Sequence, residues 1–181
     1  MIKIPKNTDI TPLIVTLTKL YHPHTYMELG TKRGYTFNQI APLVPRAVAV
    51  DQDGESLRKY ITDLPHVERY HNTTDQLADM WSDPIDMLFI DANHEWGQVL
   101  KDVNQFLPFL KVGTGLMLLH DTYPIHYELE APGYCHNAWV AAHLLRTLMA
   151  RVLEIVTLPG PYFGLSIIRK IDRDKHFDST R

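Results

Sequence analysis

Apolar residues in this chain follow two rhythms. Strand-length segments, Tyr26 to Leu29, Ala47 to Val50, Val67 to Tyr70, Met87 to Ile90 and Leu116 to Leu119, are too short to be helices. Between them lie stretches in which apolar residues recur every three or four positions. The clearest follows Asp91, where Trp96, Val99, Leu100, Val103, Phe106, Leu107 and Leu110 form one stripe that stops before Gly113. Short apolar strands separated by amphipathic helices predict parallel strands covered on both faces. Ahead of them, Thr11-Pro12 reads as an N-cap with proline in the first helical position, opening a helix over 11–21 that ends at His22-Pro23. Beyond Asp121 the rhythm lapses through Thr122 to Asn137, which reads as a long loop. A helix from about Ala138 to Arg151 follows, with Trp139, Ala142, Leu145 and Leu148 or Met149 on its buried side. Two β-like segments, Val152 to Leu158 and Phe163 to Ile168, are joined only by Pro159-Gly160-Pro161 and the residue after it, which permits an antiparallel pair and forbids a parallel crossover.

The expected fold is therefore α/β: a doubly wound seven-stranded sheet, mostly parallel with an antiparallel last strand, and helices on both faces. At 181 residues the chain suits one domain over 1–181. Its parts are the helix 11–21, a first half 25–80, a second half 86–170 and a polar tail 171–181.

Composition narrows the function classes. A net charge of -3, with Lys and Arg scattered, supplies no basic field for nucleic acid. The lone Cys135 excludes an intrachain disulfide and any cysteine-built metal cluster. The opening MIKIPKNTDITP lacks a signal-peptide core, and no run nears the roughly 20 apolar residues of a membrane span. A soluble cytoplasmic protein acting on a small molecule is expected.

The segment Thr25 to Asp51 carries the first chemistry. A strand ends Glu28-Leu29-Gly30, Gly34 follows, then a helix near Thr36, and a second strand ends in Asp51. Only two glycines, with an acid beside them, argue against a pyrophosphate and suit a ligand with an ammonium group. The glycines let backbone approach that ligand, and Asp51 stands where a carboxylate accepts from both hydroxyls of a ribose; a helix cap is its structural alternative, for which Asp53 competes. His71-Asn72-Thr73-Thr74-Asp75 offers adenine contacts or a helix start capped by Thr74. Asp91 and Asp121 end adjacent strands and should meet at one sheet edge, where two carboxylates need a proton or a cation between them. His94, as a neutral imidazole, could take a proton from a substrate hydroxyl, or simply bond to backbone at a helix start. Asp102 falls off the apolar stripe and reads as solvated. Tyr123, His126, Tyr127, Tyr134 and His136 would line a lid suited to a ring-bearing or sugar-like molecule.

The run Glu28-Leu29-Gly30-Thr31-Lys32-Arg33-Gly34-Tyr35-Thr36 resembles the E-x-G-x-x-x-G-x-[ST] motif of class I S-adenosylmethionine-dependent methyltransferases, and Val48-Ala49-Val50-Asp51 resembles their acid-terminated second strand. Asp86 to His94 and Leu118-Leu119-His120-Asp121 are similar to signatures of the small, metal-dependent O-methyltransferases. The resemblance implies a Rossmann-like sheet. It also implies S-adenosylmethionine held by Glu28, Gly30, Thr31, Gly34, Thr36, Asp51, Gln52, Thr73, Thr74 and Asp91. It implies Mg²⁺ or Mn²⁺ on Asp91, His120 and Asp121, and catalysis by His94 and Asp91 on a small hydroxyl-bearing acceptor. The family's third ligand is an oxygen, whereas His120 and Thr122 flank Asp121 here, so Fe²⁺ or Zn²⁺ also enters consideration. Two readings stand beside this one: a non-catalytic S-adenosylmethionine-binding module, and a metal-dependent oxygenase or hydrolase using Asp91, His94, His120 and Asp121. The apolar first helix could also cover a second copy in a homodimer.

Overall fold

A computed structural model of the chain describes residues 9–160 and 163–172. Seven strands form one sheet: β1 (Thr25–Leu29), β2 (Arg46–Asp51), β3 (Val67–His71), β4 (Met87–Ile90), β5 (Leu116–His120), β6 (Leu153–Leu158) and β7 (Leu165–Lys170). Their spatial order is β3-β2-β1-β4-β5-β7-β6, and β7 runs antiparallel to both of its neighbours, while the other pairings are parallel. The expected sheet is thus the observed one. The order reverses between β1 and β4, which opens a crevice above their carboxyl ends where ligands of such sheets bind.

Helices α1 (Thr11–Tyr21), α2 (Phe37–Ile40) and α3 (Gly54–Tyr60) cover one face, and α4 (Thr74–Met80), α5 (Trp96–Phe106) and α6 (Ala138–Leu148) the other. Alternation along β1 supplies both cores, Tyr26 to the first and Met27 and Leu29 to the second. Each fully buried ring, Phe37, Phe89 or Phe106, contributes about 2–3 kcal/mol by leaving water. The first helix covers its own sheet: Ile14 is fully buried with Tyr26 and Phe89, and the Thr18 hydroxyl reaches the Met87 sulfur. Its cap is supplied by Asp9, whose carboxylate accepts from the Thr11 N–H at 2.9 Å, and Thr11 itself begins the helix.

Several local expectations are corrected. The helix after Gly34 is a single turn followed by a 3-10 turn at Ala41–Leu43, because Pro42 cannot extend the helical hydrogen bonding. Helix α6 stops at Leu148; its buried side is Ala138, Ala141, Ala142 and Leu145, leaving Trp139 and Leu148 exposed. Trp96 is also exposed, whereas Trp81 is core. Asp102 is completely buried rather than solvated, since α4 lies against that side of α5. The tail beyond Asp172 and the Pro161 end of the last turn lie outside the described residues. Among the described residues no helix is long and apolar enough to cross a membrane.

Candidate functional site

The turn after β1 requires glycine at its first position. Gly30 has φ +87°, and a Cβ there would stand 2.3 Å from the Asp91 carbonyl oxygen. The ends of β1 and β4 are pressed together at the point where the sheet order reverses. Gly34, at φ +69°, closes the turn through a 2.7 Å bond from its N–H to the Thr31 carbonyl. Thr31 is buried with its N–H on the Val50 carbonyl. The Thr36 hydroxyl is engaged by Thr11 at 2.9 Å and does not cap α2.

Asp51 stands at the end of β2 and is tied to this turn: its carboxylate accepts from the Lys32 N–H at 2.6 Å and the Asp53 N–H at 2.8 Å. Asp53 takes the capping role at α3, accepting from Glu55 and Ser56. The competition between the two acids is therefore resolved, with Asp51 left at the crevice. Gln52 is exposed beside it and its carbonyl accepts from His71 Nε2 at 3.0 Å. Thr73, not Thr74, caps α4, in a capping box with Gln76. Thr74 turns inward and donates to Asp102 at 2.7 Å, so its side chain bridges two helices.

Glu28 lies beneath the turn, 3% exposed, and accepts a 2.6 Å hydrogen bond from the Tyr26 hydroxyl. Burial is the main influence on this acid; together with the charges of Asp91 and Asp51 it overrides the Tyr26 bond and raises its pKa to about 8.

The second half of the site is a ring of alternating charge. His94 Nδ1 lies 2.9 Å from Asp121 Oδ2 and 2.6 Å from the Tyr134 carbonyl, and its Nε2 lies 3.3 Å from Asp91 Oδ1. His120 Nδ1 lies 3.0 Å from Asp91 Oδ1 and 3.3 Å from Asp121 Oδ1. Each imidazole thus reaches both carboxylates. Burial works against charging the rings, but the two acids prevail, raising His94 to about 10 and His120 to about 9. Burial alone would raise Asp91; the charges and hydrogen bonds of His120 and His94 instead hold it well below the usual carboxylate range. The expectation of a neutral imidazole at His94 is corrected accordingly, because both of its nitrogens face acceptors that a neutral ring could satisfy only on one side.

One donor atom each from Asp91, His94 and Asp121 lie within 4.8 Å of one another, a grouping that could hold a metal ion and that has His94 beside the two acids of the expected set. His120 stands edge-on between the Phe89 and Phe163 rings, at 5.9 and 6.2 Å. Asp121 Oδ1 is buried and accepts no hydrogen bond, its 3.3 Å approach to His120 being badly angled. An orphaned carboxylate oxygen beside two further donors fits a divalent cation. Asp121 is itself held at φ +60°, an uncommon conformation for a side-chain-bearing residue.

Two residues that periodicity did not single out complete the site. Cys135, within the lid, is fully buried; burial first, then the Asp121 charge, pushes its thiol up to about 12. Asn137 fastens the lid, its side-chain oxygen accepting the Trp96 N–H at 2.8 Å. Of the lid aromatics, Tyr127 points into solvent, on a 3-10 turn at Tyr127–Glu130, while Tyr123 and Tyr134 are half-exposed.

A doubly wound sheet with its glycine turn at the switch point, an acid at the end of β2 and paired acids after β4 and β5 has the class I S-adenosylmethionine-dependent methyltransferase fold. The sequence agrees: the profile of a methyltransferase domain matches residues 27–122, more than half of the chain, and the chain belongs to that family. No curated protein sequence matches it. Among solved structures it is similar to the O-methyltransferase TomG of Streptomyces achromogenes, involved in tomaymycin synthesis and crystallised with S-adenosylmethionine (16% identity, 93% of this chain and 82% of that one, TM-score 0.69). An O-methyltransferase of Bacillus cereus in complex with S-adenosylhomocysteine is similar at 15% identity (92% and 84%, TM-score 0.67). So is the N-methyltransferase NodS of Bradyrhizobium japonicum WM9, at 13% identity (93% and 100%, TM-score 0.65). At these identities the likeness is one of fold, and the fold serves both oxygen and nitrogen acceptors.

Proposed function

We propose that the chain binds S-adenosylmethionine over the β1 turn and transfers its methyl group to a hydroxyl oxygen of a small acceptor. The observation that carries this is the contact of Gly30 with Asp91, which puts the cofactor turn directly against the ring of Asp91, His94, His120 and Asp121. Asp51, at the end of β2 beside the turn, would accept from the ribose hydroxyls, while Glu28, buried beneath the turn with a raised pKa, would offer the cofactor's ammonium a polar neighbour rather than a full charge. In the transfer the carbon–sulfur bond breaks as the carbon–oxygen bond forms in line with it, the acceptor loses its hydroxyl proton, and S-adenosylhomocysteine leaves.

The residues of the ring answer one requirement of that step, positive charge for the oxygen; the proton leaves to solvent, since both imidazoles are already charged and Asp91 is held below the usual carboxylate range. Asp91, whose side chain is 32% exposed, is the carboxylate open to an incoming hydroxyl. The imidazolium groups of His94 and His120 stabilise an oxygen that is losing its proton, which is electrostatic work in a partly dry site. A divalent cation on Asp91, His94 and Asp121 would take the place of the His94 proton, because only a neutral imidazole ligates, and would itself supply the positive charge that lowers the hydroxyl pKa. The lid, fastened at His94 and Asn137, restricts water.

Calorimetric titration with S-adenosylmethionine and S-adenosylhomocysteine tests the cofactor assignment, with micromolar binding of both expected and no binding of either fatal to it. Repeating it with Mn²⁺, and with Asp121→Ala, tests the cation: loss of Mn²⁺ binding in the variant is expected, and unchanged Mn²⁺ affinity rejects the ligand set.

A further inference from the structure

A half-open cavity of about 630 Å³ lies between α6, the end of β6, the start of the lid and Glu130 in its middle. Its volume falls in the range that holds a small organic ligand. Trp139, His143 and Arg146 recur at positions i, i+4 and i+7 along one edge of α6 and form one wall. Tyr123 also lines it, its backbone packed on Gly164 and its N–H donating to the Phe163 carbonyl. These residues leave an aromatic slot that the core does not need.

The charges in the slot are unspent. Among the described residues no carboxylate pairs with Arg146, whose guanidinium instead donates to the Thr157 hydroxyl. Glu130 enters from the lid, also without an ion pair among the described residues. Arg146 and Glu130 do not bridge each other, so a ligand between them meets a cation at one place and an anion at another. Thr122, the neighbour of Asp121, is among the residues that line the slot. Only β7 separates β5 from β6, so the two strands run about 10 Å apart.

A row of hydroxyls links the two places. Thr157 and Ser166 are 2.8 Å apart, Ser166 donates to Thr122 at 2.9 Å, and Thr122 donates to the Leu119 carbonyl. Arg146 thus stands at the head of a hydrogen-bonded row ending beside Asp121.

We infer that this cavity is a binding site for a small aromatic monoanion, its acidic group on Arg146 and its ring against Trp139, with Glu130 rejecting a second negative charge. The inference goes beyond methyl transfer, and its first measurement needs no turnover and no cofactor. Calorimetry on the full chain compares 2-naphthoate, 2-naphthol and naphthalene-2,6-dicarboxylate. At least tenfold tighter binding of 2-naphthoate than of 2-naphthol is expected, with the dicarboxylate no tighter than the monoacid. Arg146→Gln, which keeps the donor to Thr157 and removes the charge, should erase the preference for the acid. Glu130→Gln should tighten the dicarboxylate. Equal affinities for acid and alcohol in the native chain, or a preference that survives Arg146→Gln with the fold intact by circular dichroism, overturn the proposal.

The same chemistry could belong to the acceptor's own acidic end or to a separate regulatory ligand. Asp91→Asn distinguishes them: it changes the affinity for 6-hydroxy-2-naphthoate but not for 2-naphthoate if one molecule spans cavity and ring, and changes neither if the cavity serves a separate ligand. S-adenosylhomocysteine binding is measured apart from these, so its failure would remove the methyl-transfer reading and leave the cavity assignment standing.

Discussion

A methyl group added at Gly30 would lie 2.3 Å from the carbonyl oxygen of Asp91 and 2.7 Å from the Ala92 Cα. The obstruction is backbone, which cannot rotate away, and the residue also sits at φ +87°. Gly30→Ala is expected to cost roughly 2–5 kcal/mol of stability from strain and overpacking together. Urea unfolding measures the loss, and any folded fraction should bind S-adenosylhomocysteine at least tenfold more weakly. A variant within a few tenths of a kcal/mol of the native protein would show that the two turns are not in contact.

Glu28 makes stability depend on pH. Its folded pKa, raised to about 8, exceeds the value of about 4.5 of the free acid, so between those limits the folded chain holds a proton the unfolded chain has lost. Stability contributed through Glu28 is complete below about pH 4.5 and falls as pH rises to about 8. Glu28→Gln keeps an acceptor for the Tyr26 hydroxyl and abolishes the titration. It should stabilise the protein at pH 8 by on the order of 3 kcal/mol relative to its effect at pH 4.5. Thermal melts at the two pH values check this.

His94 and His120 add a second window. Their folded pKa values, about 10 and about 9, exceed the ordinary imidazole value of about 6.5, so their contribution is complete below about pH 6.5 and is lost as pH rises through 9 and 10. Asp121→Asn withdraws one carboxylate from both rings. NMR titration of the imidazole resonances should show both pKa values lowered by at least one unit, and unchanged values would mean that Asp121 does not charge the rings.

Thr74 offers a test away from the chemistry. It donates at 2.7 Å to Asp102, which is completely buried, also accepts from Gln98, and leaves its Oδ2 without a partner. Thr74→Val removes a donor from a buried acid and should cost about 1–3 kcal/mol. Thr74→Ser should restore most of it, as chemical denaturation would show.

What was legible in the sequence followed what is local. Five strands of one rhythm, the glycine pair at 30 and 34, and the strand-end acids at 51, 91 and 121 depend on near neighbours, and the fold set them where their spacing pointed. Asp102 was misread because its burial comes from α4, far away in sequence and docked on that side of α5. Thr73 displaced Thr74 as the cap because a cap is decided by which hydroxyl meets the third N–H, a matter of one residue. The parts of His94 and His120 were not legible for a similar reason: both stand near both acids, and only the flanking rings of Phe89 and Phe163 and the Tyr134 carbonyl decide where each nitrogen points. Cys135 carried no periodic signal at all, its burial being a property of how the lid folds back.

The hydroxyl row has a grammar that fixes a residue at its far end. The Leu119 carbonyl can only accept, so Thr122 must spend its single proton there, Ser166 must then give to Thr122, and Thr157 to Ser166. Thr157 arrives at position 146 with only a lone pair to offer. A backbone oxygen at the top of β5 therefore dictates that the side chain at 146 be one that gives a proton, and any acid placed there would set two lone pairs against each other with no way for the row to reverse.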